Sequence, residues 1–205
     1  PATQVAFTPD GQYLVTAGGV NRIPALYLWD AENGDLIREF EGHLGTIWGI
    51  DISSDSQLLA SAEEGNQTII WNIETGEIVH TLGEHANAVR DVAFSPDDSQ
   101  IATVSFDQSM ILWDVSTGEL IRRYFGHADV IRAVDFHPDG NLIFSAGSDR
   151  EVLAWDIEDD LAEPTRSYSG HTDNINALSY SPTGEFFVTG SRDTSVITWR
   201  YDTLD

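Results

Sequence analysis

The sequence predicts an all-β chain made of five copies of one antiparallel meander, and three observations carry that prediction. Trp29, Trp71, Trp113 and Trp155 stand 42 residues apart, and Trp199 follows 44 later. His43, His85, His127 and His171 keep the same beat, at spacings of 42, 42 and 44. Each period also holds four short β-branched or aromatic runs separated by turn-forming residues, the pattern of a four-stranded sheet. A period of this length is the mark of a repeat architecture, and helical periodicity is sustained nowhere.

The elements follow in order within each period. A first apolar run (residues 5–7, 92–94, 134–136 and 178–180) meets a turn such as Thr8-Pro9-Asp10-Gly11 or His137-Pro138-Asp139-Gly140. Pro9, Pro96, Pro138 and Pro182 fix φ at the turn, and the Asp or Gly that follows tolerates the conformations it needs. A second run occupies residues 13–16, 58–61, 101–104, 142–145 and 186–189. A third closes on the tryptophan, as in Met110-Ile111-Leu112-Trp113. Asn33-Gly34, Thr75-Gly76 and Thr117-Gly118 then turn the chain into a fourth run, such as residues 120–124.

Composition narrows the function classes. At 205 residues and 41% hydrophobic, the chain can bury a substantial core. It has neither an apolar run of membrane-spanning length nor an N-terminal signal, so no membrane partner is expected. It begins with Pro1 rather than Met and so reads as an excerpt or a processed piece. The absence of cysteine excludes disulfides, thiol nucleophiles and Cys-based zinc sites, and fits a cytoplasmic setting. The net charge is -24, and all ten basic residues are arginine. Such a surface repels phosphate backbones, so nucleic acid is not an expected partner. The acidity reads first as a solubilising surface, and second as long-range attraction of basic partners.

Two dipeptides recur in phase with the tryptophans and histidines. Gly42-His43, Gly126-His127 and Gly170-His171 precede the first runs, with Gly83-Glu84-His85 as a variant. Trp29-Asp30, Trp113-Asp114 and Trp155-Asp156 close the third runs, with Trp71-Asn72 and Trp199-Arg200 as departures. On these motifs the chain resembles, over essentially its whole length, the WD-repeat family of β-propellers. The resemblance implies blades at about residues 3–43, 44–85, 86–127, 128–171 and 172–205, the last without its outer strand. Propellers of that family usually close with about seven or eight blades, so a larger ring is expected. An open arc would leave two apolar end faces of several hundred Å², costing on the order of 10 kcal/mol. Further blades of the same chain would cover them; the alternatives are a closed five-blade ring or copies that complete each other.

The resemblance also implies a buried hydrogen-bonded tetrad in each blade. Three sets match: His85, Thr103, Asp107 and Trp113; His127, Ser145, Asp149 and Trp155; His171, Thr189, Asp193 and Trp199. His with Asp and Ser invites a hydrolase reading, but sets repeated blade after blade, each with its own tryptophan, read as framework. Blade two keeps His43, Ser61 and Trp71 with Gly65 in place of the Asp, so an incomplete network is expected there. Blade one carries an insertion at residues 20–24 and lacks the Asp, which predicts an irregular loop.

No metal or cofactor site is expected. The framework histidines fall one per blade, and His80 and His137 lack partners at ligand spacing. Asp156, Glu158, Asp159, Asp160 and Glu163 fill a lengthened loop without the glycine and alternation of a calcium loop, and read as solvated. Asn66-Gln67-Thr68 fits a glycosylation acceptor by pattern only. Neither a phosphate-cradling glycine loop nor a nucleophile elbow is present, so the chain is not expected to be an enzyme.

What remains is the rim where, in WD propellers, partners dock. The implied positions are Thr3, Trp48, Arg90, Arg132 and Asn176 on the first strands, and Glu64, Phe106, Ser148 and Arg192 before the turn. From these, Trp48, Arg90, Arg132, Asn176, Phe106 and Arg192 form the candidate partner-binding face. Trp and Arg are enriched at binding hot spots, and Trp48 is the one tryptophan off the framework beat. The plainer alternative packs Trp48 on the neighbouring blade and pairs the arginines with nearby carboxylates. The expected function is a non-enzymatic protein–protein interaction scaffold, the recruiting or sensing domain of a longer protein. One alternative is a reader of basic Arg/Lys tails through an acidic channel mouth. Another is a hydrolase with a metal in the channel, which would need convergent carboxylates and histidines.

Overall fold

A computed structural model describes residues 2–201, so the end of blade five as expected from the sequence (residues 202–205) lies outside the described residues. The described chain is all-β: nineteen strands in five antiparallel sheets, each a simple meander. The first sheet holds β1 (Ala2–Phe7), β2 (Tyr13–Val20), β3 (Ile23–Asp30) and β4 (Leu36–Glu39). The second holds β5 (Ile47–Ile52), β6 (Leu58–Glu63), β7 (Thr68–Asn72) and β8 (Ile78–Leu82). The third holds β9 (Val89–Phe94), β10 (Gln100–Ser105), β11 (Ser109–Asp114) and β12 (Leu120–Phe125). The fourth holds β13 (Ile131–Phe136), β14 (Leu142–Gly147), β15 (Glu151–Asp156) and β16 (Pro164–Ser169). The fifth holds β17 (Ile175–Tyr180), β18 (Phe186–Ser191) and β19 (Val196–Arg200).

Successive sheets stack with their first strands side by side, β1 on β5, β5 on β9, β9 on β13 and β13 on β17. The core is therefore divided into four layers, each between two neighbouring sheets. Val15, Leu26, Leu28 and Phe40 of the first sheet meet Ile47, Leu59, Ile69 and Trp71 of the second. The same arrangement recurs around Trp113, Trp155 and Phe187 in the later layers. Central strands of inner sheets are consequently buried on both faces, as in β10 and β14. The outer sheets alternate instead, because one face of each has no neighbour: Val5 and Phe7 are exposed at one end, Val188 and Val196 at the other. Among the described residues the sheets are not closed into a ring.

The blade-one insertion departs from the expected irregular loop. β2 and β3 pair without interruption from Tyr13↔Asp30 to Val20↔Ile23, leaving a two-residue connection, Asn21-Arg22. Both residues have positive φ, 52° and 66°, the backbone of a type I′ turn whose twist matches the flanking strands. The insertion lengthens a hairpin because the turn chemistry of Asn21 permits it.

The first strands are joined by side chains reaching across to the next sheet. The Ile50 N–H donates to Gln4 Oε1 at 2.8 Å, Phe94 N–H to Asp51 at 2.7 Å, Val134 N–H to Asp91 at 3.2 Å and Tyr180 N–H to Asp135 at 2.8 Å. Desolvation pushes the Asp51 and Asp91 carboxyls up to about 7 and Asp135 up to about 6, against the pull of these N–H groups.

Candidate functional site

The framework histidines sit in the loops that lead into the first strands, and each meets the second and third strands of its own sheet. In blade three, Trp113 Nε1 donates to Thr103 Oγ1 at 2.9 Å, His85 Nε2 lies 2.8 Å from the same hydroxyl, and His85 Nδ1 lies 3.0 Å from Asp107. Blade four repeats this with Trp155, Ser145, His127 and Asp149, at 2.8, 2.7 and 2.7 Å. Blade five does so with Trp199, Thr189, His171 and Asp193, at 2.8, 2.8 and 2.9 Å. With the indole N–H donating to the hydroxyl, the hydroxyl proton is free for Nε2, and Nδ1 carries the hydrogen facing the carboxylate. Each carboxylate also accepts the N–H of the residue after the histidine, Ala86, Ala128 or Thr172. At Asp107 and Asp149 burial pushes the carboxyl up, but the histidine and N–H hydrogen bonds outweigh it and hold both below the usual range. The relay closes on itself, and its hydroxyl and imidazole are buried.

Blade two lacks the turn Asp, and among the described residues His43 Nδ1 makes no hydrogen bond, in keeping with the incomplete network expected there. A different acid nevertheless stands beside it. Glu63, at the end of β6, turns its carboxylate into the place the turn Asp occupies elsewhere. Its Oε2 accepts the N–H groups of Leu44 at 2.8 Å and Gly45 at 2.9 Å, and lies 3.2 Å from His43 Nδ1. His43 Nε2 and Trp71 Nε1 reach Ser61 Oγ at 2.6 and 2.7 Å as in the other blades. A Cβ on Gly65 would overlap Glu63 Oε1, so the glycine is what makes room for the longer acid. Blade one has the shortest version, Trp29 Nε1 donating to Thr16 at 2.8 Å.

The rim positions share a backbone cause that the spacing of the motifs did not reveal. In every sheet the register between first and second strands slips at one residue. The unpaired residues are Thr3, Trp48, Arg90, Arg132 and Asn176. A β-bulge bends its strand and re-aims the side chain of the extra residue. The result is a strip running across blades two, three and four. The Trp48 and Phe106 rings are 5.1 Å apart, the Arg90 guanidinium lies 5.5 Å from the Trp48 ring centre, and that of Arg132 lies 5.9 Å from Phe106. Arg132 Nε donates to Ser148 Oγ at 2.6 Å, and Arg90 makes a long 3.4 Å contact to the Trp48 carbonyl. Trp48, Arg90, Phe106 and Arg132 are all half-buried. Asn176 and Arg192 of blade five are exposed, and among the described residues no side-chain hydrogen bond, ion pair or ring contact joins them to the strip.

Two other features of the sequence find their places. The acidic loop after β15 is tied back by Arg122, whose Nη1 donates to the Asp159 carbonyl and whose Nη2 lies 3.4 Å from Asp160. Among the described residues, no group of three or more His, Asp or Glu side chains converges as a metal site would require.

Stacked antiparallel meanders, four of the five holding a Trp, a hydroxyl, a His and a carboxylate together, define a propeller-type repeat protein. The chain belongs to the family described as WD domain, G-beta repeat, whose pattern matches residues 34–72, 76–114, 118–156 and 162–200. Each matched unit starts just before an outer strand and ends on the third strand of the next sheet, so one repeat straddles two blades. Shorter stretches are similar to eukaryotic translation initiation factor 3 subunit I from several organisms. That of Mycosarcoma maydis is 38% identical over 65 residues, 32% of this chain and 18% of that protein. That of Brugia malayi is 40% identical over 60 residues, 29% of this chain and 17% of that protein. That of Schizosaccharomyces pombe is 32% identical over 66 residues, 32% of this chain and 19% of that protein. These matches span under a fifth of the relatives' length.

Proposed function

We propose that this chain is a non-enzymatic platform for protein partners, which dock on the bulged rim around Trp48, Arg90, Phe106 and Arg132. The single observation that carries this reading is the strip itself. It presents half-exposed aromatic and guanidinium groups, the residue types that dominate binding hot spots, from three rigid sheets at once. WD-family membership and likeness to subunits of a translation factor support a role within a larger assembly, as the recruiting domain of a longer protein. A cytoplasmic setting belongs to the same reading, and among the described residues no helix is long and apolar enough to cross a membrane. Four of the six histidines, His43, His85, His127 and His171, are taken up by the framework. The reader of basic tails is not supported: Asp51, Asp91 and Asp135 are spent on neighbouring backbone N–H groups, and the rim carries Arg90 and Arg132 instead.

The test is capture of partners from the native cell extract, followed by cross-linking of the captured complex. Trp48→Ala combined with Arg132→Ala is expected to abolish capture while cooperative unfolding is retained. Capture that survives this double substitution, with cross-links on another surface, would overturn the choice of face.

A further inference from the structure

The strip has a charge pattern at odds with the rest of the molecule. The chain carries 34 acidic residues against ten arginines, so its surface as a whole is strongly acidic. Arg22, Arg122 and Arg123 each have one within reach, at 3.8, 3.4 and 3.8 Å. For Arg90 and Arg132, the described residues offer no carboxylate within ion-pair distance. Asp91 adjoins Arg90 in sequence, but its carboxylate is turned to the Val134 N–H. Burial pulls Arg90 below the ordinary arginine range, and the like charge of Arg132 pulls it further, against the opposing field of Asp91.

Two half-buried guanidiniums thus sit close enough to repel each other, flanking an aromatic pair. Little of their donor capacity is used: Arg132 gives Nε–H to Ser148, and Arg90 gives one long bond to a carbonyl. A guanidinium has five donors in a planar fork that suits carboxylate groups. An anionic group placed between the two would relieve the repulsion and fill the unspent donors. An apolar side chain beside it would cover the half-exposed faces of Trp48 and Phe106.

We propose that this strip recognises an acidic peptide segment of a partner protein, its carboxylates held by Arg90 and Arg132 and a neighbouring apolar or aromatic side chain laid on Trp48 and Phe106. The inference rests on the rim being the docking face. The rest of the surface repels such a segment, so recognition is local and short-ranged, and it selects against long polyanions. A nucleic acid strand, which needs a continuous basic track, is disfavoured for the same reason.

The experiment uses the full chain and a fluorescein-labelled synthetic peptide of alternating glutamate and phenylalanine, titrated by polarisation at physiological salt. Three probes accompany it: the same peptide with glutamine for glutamate, the same with lysine, and a single-stranded oligothymidylate. The glutamate peptide is expected to bind best. Its affinity is expected to fall by about tenfold or more in Arg90→Gln combined with Arg132→Gln, and to fall also in Trp48→Ala. Equal binding of the glutamine peptide, lost in Trp48→Ala, would sink the acidic chemistry while leaving the docking face standing. Glutamate-peptide binding that is unchanged in both variants would sink the face as well. Preference for the lysine peptide or for the oligothymidylate, or no measurable binding of the glutamate peptide, would also overturn the proposal. Comparing the four probes on the unaltered chain keeps the test valid if a variant folds poorly.

Discussion

At the scale of single residues, the clearest lesson is that one structural task can be met by different side chains. Blades three, four and five bond the histidine to an aspartate in the turn, whereas blade two sets Glu63, from the strand before it, beside His43 and on the adjoining N–H groups. The reach of an extra methylene compensates for the two-residue offset, and Gly65 supplies the space. Glu63→Ser strips a carboxylate from the N–H groups of Leu44 and Gly45 and from the side of His43, and is expected to cost about 2 kcal/mol of stability. Adding Gly65→Asp to that variant rebuilds the arrangement of blade three, where Ser105 and Asp107 occupy the two positions, and is expected to recover most of the loss. Gly65→Asp alone is expected to destabilise, since its Cβ meets Glu63. Chemical denaturation of the four proteins in this double-mutant cycle reads the coupling directly. The motif spacing located His43, Ser61 and Trp71. It did not locate Glu63, because its position falls outside the repeat pattern and only its side-chain direction reveals the role.

At the scale of elements, turns and bulges decide where side chains go. The five first strands each carry one unpaired residue, and that shared irregularity aims Trp48, Arg90 and Arg132 onto one rim. The periodicity of the sequence gives the strands but not the slip in register, since a single extra residue hardly disturbs a 42-residue beat. The blade-one hairpin shows the reverse case, an insertion that looks irregular in sequence and is regular in structure. Its Arg22 holds a φ of 66° that a side chain tolerates poorly, and its contact to Glu64 is long and exposed. Arg22→Gly creates the Asn-Gly pair preferred in such turns, and is expected to raise stability by about 0.5–1 kcal/mol. A melting temperature that falls instead would show that the Glu64 contact outweighs the backbone strain.

At the scale of the whole molecule, two sets of carboxylates oppose each other. Asp51, Asp91 and Asp135, raised to about 7, 7 and 6, stabilise the native state fully below the unfolded aspartate range of about 4, and that contribution is lost as pH rises through their native values. Glu63, Asp107, Asp149 and Asp193 are lowered, so their contribution is present above about 4 and is lost as pH falls through their native values. Stability is therefore expected to peak in mildly acid solution and to decline between about pH 5 and pH 7. Asp51→Asn with Asp135→Asn keeps an acceptor for Phe94 and Tyr180 without the charge, and is expected to flatten that decline. Thermal unfolding of both proteins across this range checks it, and an unchanged slope would place the cause elsewhere.

The sequence by itself determined the all-β class, the family, the 42-residue unit and the membership of three relays, because these follow from periodic patterning and from side chains at fixed offsets along the chain. The packing of the sheets was needed to show which acid stands beside His43 in blade two, that the insertion is a hairpin, and that Trp48, Arg90, Phe106 and Arg132 adjoin one another while Asn176 and Arg192 stand apart. The physical reason is the same in each case. Those facts depend on side-chain direction across neighbouring sheets, which backbone bulges, φ values and available space set, and which linear spacing does not encode.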